Sequence, residues 1–258
     1  MKNRVIAISG DSGSGKTTLS NSIKELLNDS FVLECDRYHK WDRNNENWKI
    51  YTHLNPEAND ISKMYDDILR LKNDLNVYQA KYDHKTGKFT EKHLIKPSSN
   101  IIVCGLHTFY KENSNLYDFK IFLDTDKELK TKWKIKRDVE ERNHQKDSVL
   151  LQIKNRETDF NNYVYPQKQD ADIIVNFFPI NDSKIGLRIY FDTKHNTTKI
   201  DDVLKKNKIT YTRDTQNNLI CYEFLSDSDS IKLENELPIV RGDFYDYIAF
   251  FIISIVFQ

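Results

Sequence analysis

The sequence is poor in the features that mark several protein classes. Its 258 residues hold three cysteines, Cys35, Cys104 and Cys221, far apart and in no CxxC pair. That spacing argues against a disulfide framework and a zinc site, and it fits a reducing, cytoplasmic setting. Charge of one sign is not in excess: Lys plus Arg and Asp plus Glu number 39 each. A nucleic-acid partner or a polybasic membrane anchor is therefore not expected, and an anionic small molecule must be captured by local cations. The apolar run from Ile248 to Phe257 is about half the length of a membrane span. It is expected to be a buried helix or strand. A strand-like segment begins almost at Met1, so no leader is expected. Repeats and low-complexity linkers are lacking as well.

What is present is an alternation of short apolar runs and amphipathic stretches. Arg4 to Ser9 reads as a buried strand, and Thr17 to Leu27 has the apolar spacing of a helix. Phe31 to Cys35 reads as a second strand and Asp60 to Leu75 as a second helix. Further strands are expected at Asn100 to Cys104, Phe119 to Leu123 and Ala171 to Asn176. Helical stretches are expected over Lys127 to Glu141 and Ser148 to Arg156. This order implies an α/β fold, a mostly parallel sheet with helices on both faces and ligands at the carboxyl ends of the strands. After Pro179 the pattern changes to short strands at Ile185 to Phe191, Ile209 to Arg213 and Leu219 to Phe224, with Asn217-Asn218 as a hairpin turn. The expected organisation is a core over 1–180 and a β-rich extension over 181–258 packed on it.

The first strand ends in Gly10-Asp11-Ser12-Gly13-Ser14-Gly15-Lys16-Thr17-Thr18. The Gly-x4-Gly-Lys-Thr spacing between a strand and a helix makes a phosphate-binding loop. Glycines let backbone N–H groups converge on phosphate oxygens, and the helix adds the positive end of its dipole. Lys16 is placed to reach the β- and γ-phosphates of ATP, and the Thr17 hydroxyl to ligate Mg2+. The loop alone does not separate kinases from ATPases or GTPases.

A kinase needs an orienting carboxylate at the acceptor hydroxyl and cations for an anionic acceptor. Asp36 ends the second strand beside the loop, followed by His39 and Arg43. It is the candidate base, the other reading being a turn cap. On the helix from Trp133 to Arg142, Lys134, Asp138 and Arg142 share one face with Arg137 adjacent. Spacing alone favours a solvated charged face with weak ion pairs.

Several separated stretches resemble the phosphoribulokinase family, within the phosphoribulokinase and uridine kinase group of P-loop kinases. They are Asp36 to Arg43, Thr52-His53-Leu54-Asn55-Pro56-Glu57-Ala58-Asn59-Asp60, Tyr82-Asp83-His84-Lys85-Thr86-Gly87, Trp133 to Arg142, and Tyr165 to Asp172. The resemblance covers roughly residues 4 to 180. It implies an ATP-dependent, magnesium-dependent transferase of carbohydrate metabolism. The acceptor would be D-ribulose 5-phosphate and the product ribulose 1,5-bisphosphate. It implies Asp36 as base, His39, Arg43, Tyr82 and His84 around the sugar phosphate, and Lys134, Arg137 and Arg142 on phosphate groups. Asp138 would sit beside nucleotide and metal. A homo-oligomer, a dimer by default, is implied too.

One departure stands out. Where the family has Glu-Gly-Leu-His, this chain has Cys104-Gly105-Leu106-His107. A thiol cannot supply the charge of the glutamate that helps organise magnesium, which prefers hard oxygen ligands. Two alternatives therefore stay open: a kinase for another sugar phosphate or a nucleoside, and a nucleotide-binding regulator with impaired catalysis.

Overall fold

A computed structural model of the chain describes residues 2–111, 116–182, 184–206, 208–225 and 244–256. Much of the expected extension, 226–243, and Phe257 of the apolar run lie outside the described residues. The strands are β1 (Arg4–Gly10), β2 (Ser30–Glu34), β3 (Val77–Gln79), β4 (Tyr82–Asp83), β5 (Lys88–Phe89), β6 (His93–Ile95), β7 (Asn100–Gly105), β8 (Phe119–Leu123), β9 (Ile173–Pro179), β10 (Ile185–Asp192), β11 (Thr212–Gln216) and β12 (Leu219–Phe224). The helices are α1 (Lys16–Leu26), α2 (Ile61–Lys72), α3 (Lys127–Glu140), α4 (Lys146–Asn155), the single turn α5 (Glu157–Asp159), α6 (Thr198–Lys206) and α7 (Phe244–Val256).

Eight strands form one sheet in the order β11-β12-β10-β9-β8-β1-β7-β2. The five from β9 to β2 run parallel, and β10, β12 and β11 continue antiparallel. The mostly parallel α/β sheet expected from the sequence is thus present. The strands after residue 180 extend this sheet rather than building a second one. From β1 the chain goes first to the edge strand β2, returns to β7 beside β1, then crosses to β8 and β9 on the other side. The carboxyl end of β1 therefore lies at the reversal, where open α/β sheets bind ligands.

Buried on both faces, β1 divides its side chains between two cores. Ile6 and Ile8 join a cluster with Leu19 and Ile23 of α1, Val175 and Phe177 of β9, and Ile248, Phe251 and Ile252 of α7. Val5 and Ala7 face the other cluster, with Met64, Ile68 and Leu71 of α2. The apolar run is therefore a helix covering α1. No helix among the described residues is long and apolar enough to cross a membrane.

Details of the extension differ from expectation. The strand expected at Ile209 to Arg213 begins at Thr212, because Ile209 N–H caps α6 on the Leu204 carbonyl at 3.0 Å. Ile209 and Tyr211 pack on the core instead. Helix α6 itself, which buries Ile200, Val203 and Leu204, goes unread in a polar stretch. The Asn217-Asn218 turn closes β11 on β12 with φ of 51° and 64°. Positive φ at both residues is what a two-residue hairpin of right-handed twist requires.

Candidate active site

The glycine loop follows β1 and closes on itself. Ser14 N–H donates to the Asp11 carbonyl at 3.2 Å, and Lys16 Nζ to the same carbonyl at 2.6 Å. Thr125 Oγ1, just after β8, donates to the Ser14 carbonyl at 3.0 Å. Gly13 and Gly15 hold φ of 87° and 95°, a region L side chains avoid. Space forbids a side chain as well. A Cβ on Gly13 would lie 2.8 Å from Lys134 Cβ, and one on Gly15 2.2 Å from the Tyr245 hydroxyl of α7. The buried Ser14 hydroxyl has no hydrogen-bond partner among the described residues. A tight loop with an orphaned donor fits a phosphate chain.

Helix α3 lies against this loop and brings cations to it. Arg137 Nη2 donates to Ser12 Oγ at 3.2 Å. Asp138, buried, accepts from Lys134, from Arg137 Nη2 at 2.7 Å, and faces Arg142 Nη1 at 3.5 Å. Burial pushes its carboxyl up, and Lys134 and Arg137 overcome that and hold it at about 2. Burial together with Arg156 lowers Lys134 to about 8. Three cations around one carboxylate leave net positive charge beside the loop. The expected solvated face of α3 is thus partly interior.

Two cations at this loop escaped the sequence reading. Arg156 Nη2 and Lys130 Nζ reach the Asp11 carboxylate at 2.8 Å and 2.9 Å. Against the opposing push of burial, they hold its pKa below the usual range. Only the turn of the chain at α4–α5 brings Arg156 back, so nothing local in the sequence marks it. A cavity of about 540 Å³ touches the loop at Asp11 and Ser12 and lies between α3 and α4–α5. It is lined by neither Asp36 nor the histidines.

The expected base lies elsewhere, at the end of β2. Asp36 sits in a 3-10 turn after Glu34, its carboxylate about one-third exposed, 2.9 Å from His84 Nε2 and 3.6 Å from His39 Nε2. Burial raises its pKa, but the hydrogen bond from His84 and the charges of His39, His84 and Lys16 more than reverse this. The carboxylate is held ionised. Burial lowers the pKa of Lys16, and the charges of Asp11 and Asp36 oppose this. Donor lysine and acceptor carboxylate therefore sense one another.

His39 is oriented by Asn59. The Asn59 amide nitrogen donates to the carbonyls of Asn55 at 2.9 Å and His53 at 3.2 Å. Its oxygen is thereby left to accept from His39 Nδ1 at 2.8 Å, which turns Nε2 toward Asp36. Asn59 is a third residue the sequence reading left without a role, although it stands in a segment singled out for its wording. His84 is oriented by Arg43, which donates to the carbonyls of His84 and of Lys85, the latter at 3.5 Å. Arg43 N–H also donates to Gly87 O at 2.8 Å. Arg43 thus braces the turn that carries His84. Tyr82 walls the site, with ring centroids 5.3 Å from His39 and 5.2 Å from His84. Thr18 lies on the first turn of α1, with its carbonyl accepting from Ser22 Oγ at 3.2 Å.

Thr17 is exposed at the start of α1. No group of three His, Cys, Asp or Glu side chains gathers into a metal cage among the described residues. Magnesium bound with a nucleotide takes most ligands from phosphates and water and needs only one or two from protein. A free-standing Thr17 fits that demand. Cys104 is buried on β7, flanked in register by Ile8 of β1 and Glu34 of β2. Burial raises its thiol to about 11 despite Lys16 nearby, so it carries no charge at neutral pH. Burial raises Cys35 further still.

Residues 5–184 match the model of the Phosphoribulokinase / Uridine kinase family. Phosphoribulokinase of Synechocystis sp. is 36% identical over 178 residues, covering 68% of this chain and 54% of that protein. The chloroplastic phosphoribulokinase of Spinacia oleracea is 34% identical over 195 residues, covering 68% and 48%. Uridine kinase of Borrelia duttonii is 32% identical over 178 residues, covering 67% and 85%. The chain thus spans about half the length of the phosphoribulokinases it matches. Among solved structures, phosphoribulokinase from Rhodobacter spheroides superposes with a TM-score of 0.65 at 20% identity, covering 85% of this chain and 90% of that one. Fold, phosphate loop and matched sequence agree that the chain belongs to the phosphoribulokinase and uridine kinase family.

Proposed function

We propose that this chain transfers the γ-phosphoryl group of ATP to a hydroxyl of a sugar phosphate, D-ribulose 5-phosphate being the acceptor, with ribulose 1,5-bisphosphate as product. The observation that carries the reading is Asp36. It is a carboxylate shared by two histidines, within electrostatic reach of the phosphate-loop lysine. The loop Gly10–Thr18 holds the triphosphate through backbone N–H groups and Lys16. The Thr17 hydroxyl would hold magnesium, which when bound would supply neutralisation of the phosphate oxygens.

Phosphoryl transfer passes through a loose transition state with charge spread over three equatorial oxygens. Lys16, Lys134 and Arg137 are placed to balance that charge, and Arg142, which feels Asp138, Asp36 and Arg43, spans the two halves. Asp138 has both oxygens in ion pairs. Its part is to fix these cations beside nucleotide and metal. Asp36, held ionised, accepts the hydrogen bond of the attacking hydroxyl and takes its proton as the new bond forms. His39, His84 and Arg43 answer the acceptor phosphate, and Tyr82 walls it.

A coupled assay of ADP release with magnesium, run across pentose phosphates and uridine, tests the reading. Turnover with ribulose 5-phosphate is expected, and the absence of acceptor-dependent turnover defeats it. One observation favours a second reading, a nucleotide-binding regulator of weak activity: the uncharged thiol of Cys104 beside Lys16. A wild type that binds ATP without turning over, together with an active Cys104→Glu variant, would decide for that reading.

A further inference from the structure

His107 is 3% exposed, and neither ring nitrogen has a hydrogen-bond partner among the described residues. The His53 backbone leans toward the ring without reaching hydrogen-bond geometry. Burial and the charge of His39 lower its pKa to about 4, so the ring is neutral. A neutral imidazole has one donor and one acceptor. Leaving both unmet in the interior is costly, and such groups mark places where a ligand or water completes the set.

The ring lines a small cavity of about 10 Å³ together with Asp36, His39, Asn59 and Leu106. That is about the volume of one oxygen atom with its hydrogens. Cys35, Tyr38, Ile61 and Met64 complete the lining. Besides His107, the charged or chargeable carboxylate and imidazole groups of this lining are Asp36 and His39. An anionic phosphate would find a neutral ring and a carboxylate there, a poor host. A hydroxyl or carbonyl oxygen suits it, since the imidazole can donate to it or accept from it.

We propose that His107 is a substrate-contact residue: it binds, as a neutral imidazole, an oxygen of the acceptor next to the hydroxyl that Asp36 serves. The proposal rests on the kinase reading above and refines its acceptor. The preferred acceptor is a molecule with oxygens on neighbouring carbons, and selectivity against deoxy analogues comes from this hole. In the absence of acceptor one water fills it.

The test combines variants with acceptor analogues. His107→Leu is expected to lower kcat/KM for the acceptor roughly 30-fold, as for a site left with an unmet polar contact, while leaving KM for ATP within about 2-fold. His107→Gln, which keeps a donor and an acceptor, should recover most of the loss. In a cycle, an acceptor lacking the neighbouring oxygen should be penalised by wild type and not further by His107→Leu. Thermal melting and affinity for an ATP analogue report folding. An acceptor kcat/KM in His107→Leu close to that of wild type overturns the proposal. A loss that strikes ATP affinity equally and persists in His107→Gln also overturns it, as a structural role. If His107→Leu does not fold, His107→Gln and the deoxy acceptor decide: wild type indifferent to the missing oxygen overturns it. Wild type active on an acceptor but indifferent at His107 sinks this inference alone, whereas no turnover of any acceptor sinks the kinase reading with it.

Discussion

The two halves of the site answer their carboxylates differently. On the acceptor side Asp36 is met by imidazoles, His39 and His84, each oriented by a polar neighbour. On the donor side Asp11 and Asp138 are met by ammonium and guanidinium groups: Lys130 and Arg156 on one, Lys134, Arg137 and Arg142 on the other. On the proposed reading the donor half faces a triphosphate, and fixed cations suit so highly charged a ligand. The acceptor half holds the proposed base, and imidazoles can hydrogen-bond that carboxylate without enclosing it in permanent charge. The contrast teaches where pH should act and where it should not.

The largest effect separates the halves outright. Asp36→Asn keeps shape and removes the proton acceptor, so kcat should fall about 10³-fold, the range for loss of a general base. ATP affinity, set by the other half, should hold within a few-fold in a binding titration. Loss of both would merge the two halves into one unit.

Next comes the donor hub. Asp138→Asn leaves Lys134, Arg137 and Arg142 facing one another, and breaking a buried pair from one side costs about 3 kcal/mol. Denaturant unfolding measures it. The sign with pH follows from the folded pKa of about 2, below the usual ~3.9 of an unfolded Asp. The contribution of Asp138 is complete above the unfolded value and disappears as pH falls through the folded one. Wild type and variant should therefore converge in stability near pH 2. A gap that stays constant down to that pH would assign the loss to packing.

Lys134 is where the contrast can break. Its ammonium is lowered to about 8 by burial and by Arg156, so one donor cation is switchable after all. Activity at limiting ATP should fall as pH rises through 8. Lys134→Arg should move that limb upward, because a guanidinium keeps its proton. An alkaline limb unmoved in this variant would return the titration to the acceptor half.

The smallest effect concerns Asn59, which touches His39 rather than Asp36. Asn59→Leu should raise the KM for the acceptor about 5-fold through a looser imidazole. Steady-state kinetics with ATP saturating would detect it, and no change would mean that His39 is held by its aromatic neighbours Trp48 and His53.

What was legible in the sequence followed from short-range rules. The loop Gly10–Thr17 announces itself because each glycine answers a local backbone demand. The Asn217-Asn218 hairpin does so for the same reason, and the buried strands because their apolar runs are continuous. Asp36, His39, His84, Lys134 and Arg137 are legible as candidates, and the structure groups His39 and His84 on Asp36 and sets Lys134 and Arg137 against the phosphate loop. Their roles rest on the experiments above. The contacts of Asn59, Lys130 and Arg156 were not legible. They depend on which side chain the fold returns to a given carboxylate, and residues 145 positions apart, Asp11 and Arg156, share no local pattern. Helix α6 was missed because three apolar residues in a polar stretch give too weak a period. Ile209 was misplaced because its N–H serves the helix before it rather than the strand after.

The packing of α7 on α1 has a consequence in time. Leu19 and Ile23 of α1 share a core with Phe251 and Ile252, which are made long after them. At about 5–20 residues per second, the roughly 220 residues between the two helices take on the order of 10–40 s to emerge. For that interval the helix behind the phosphate loop has a bare apolar face on the ribosome. Early domain folding can order the loop, but only late synthesis can seal it. A nascent chain halted before residue 244 is the species that chaperones should recognise by that face.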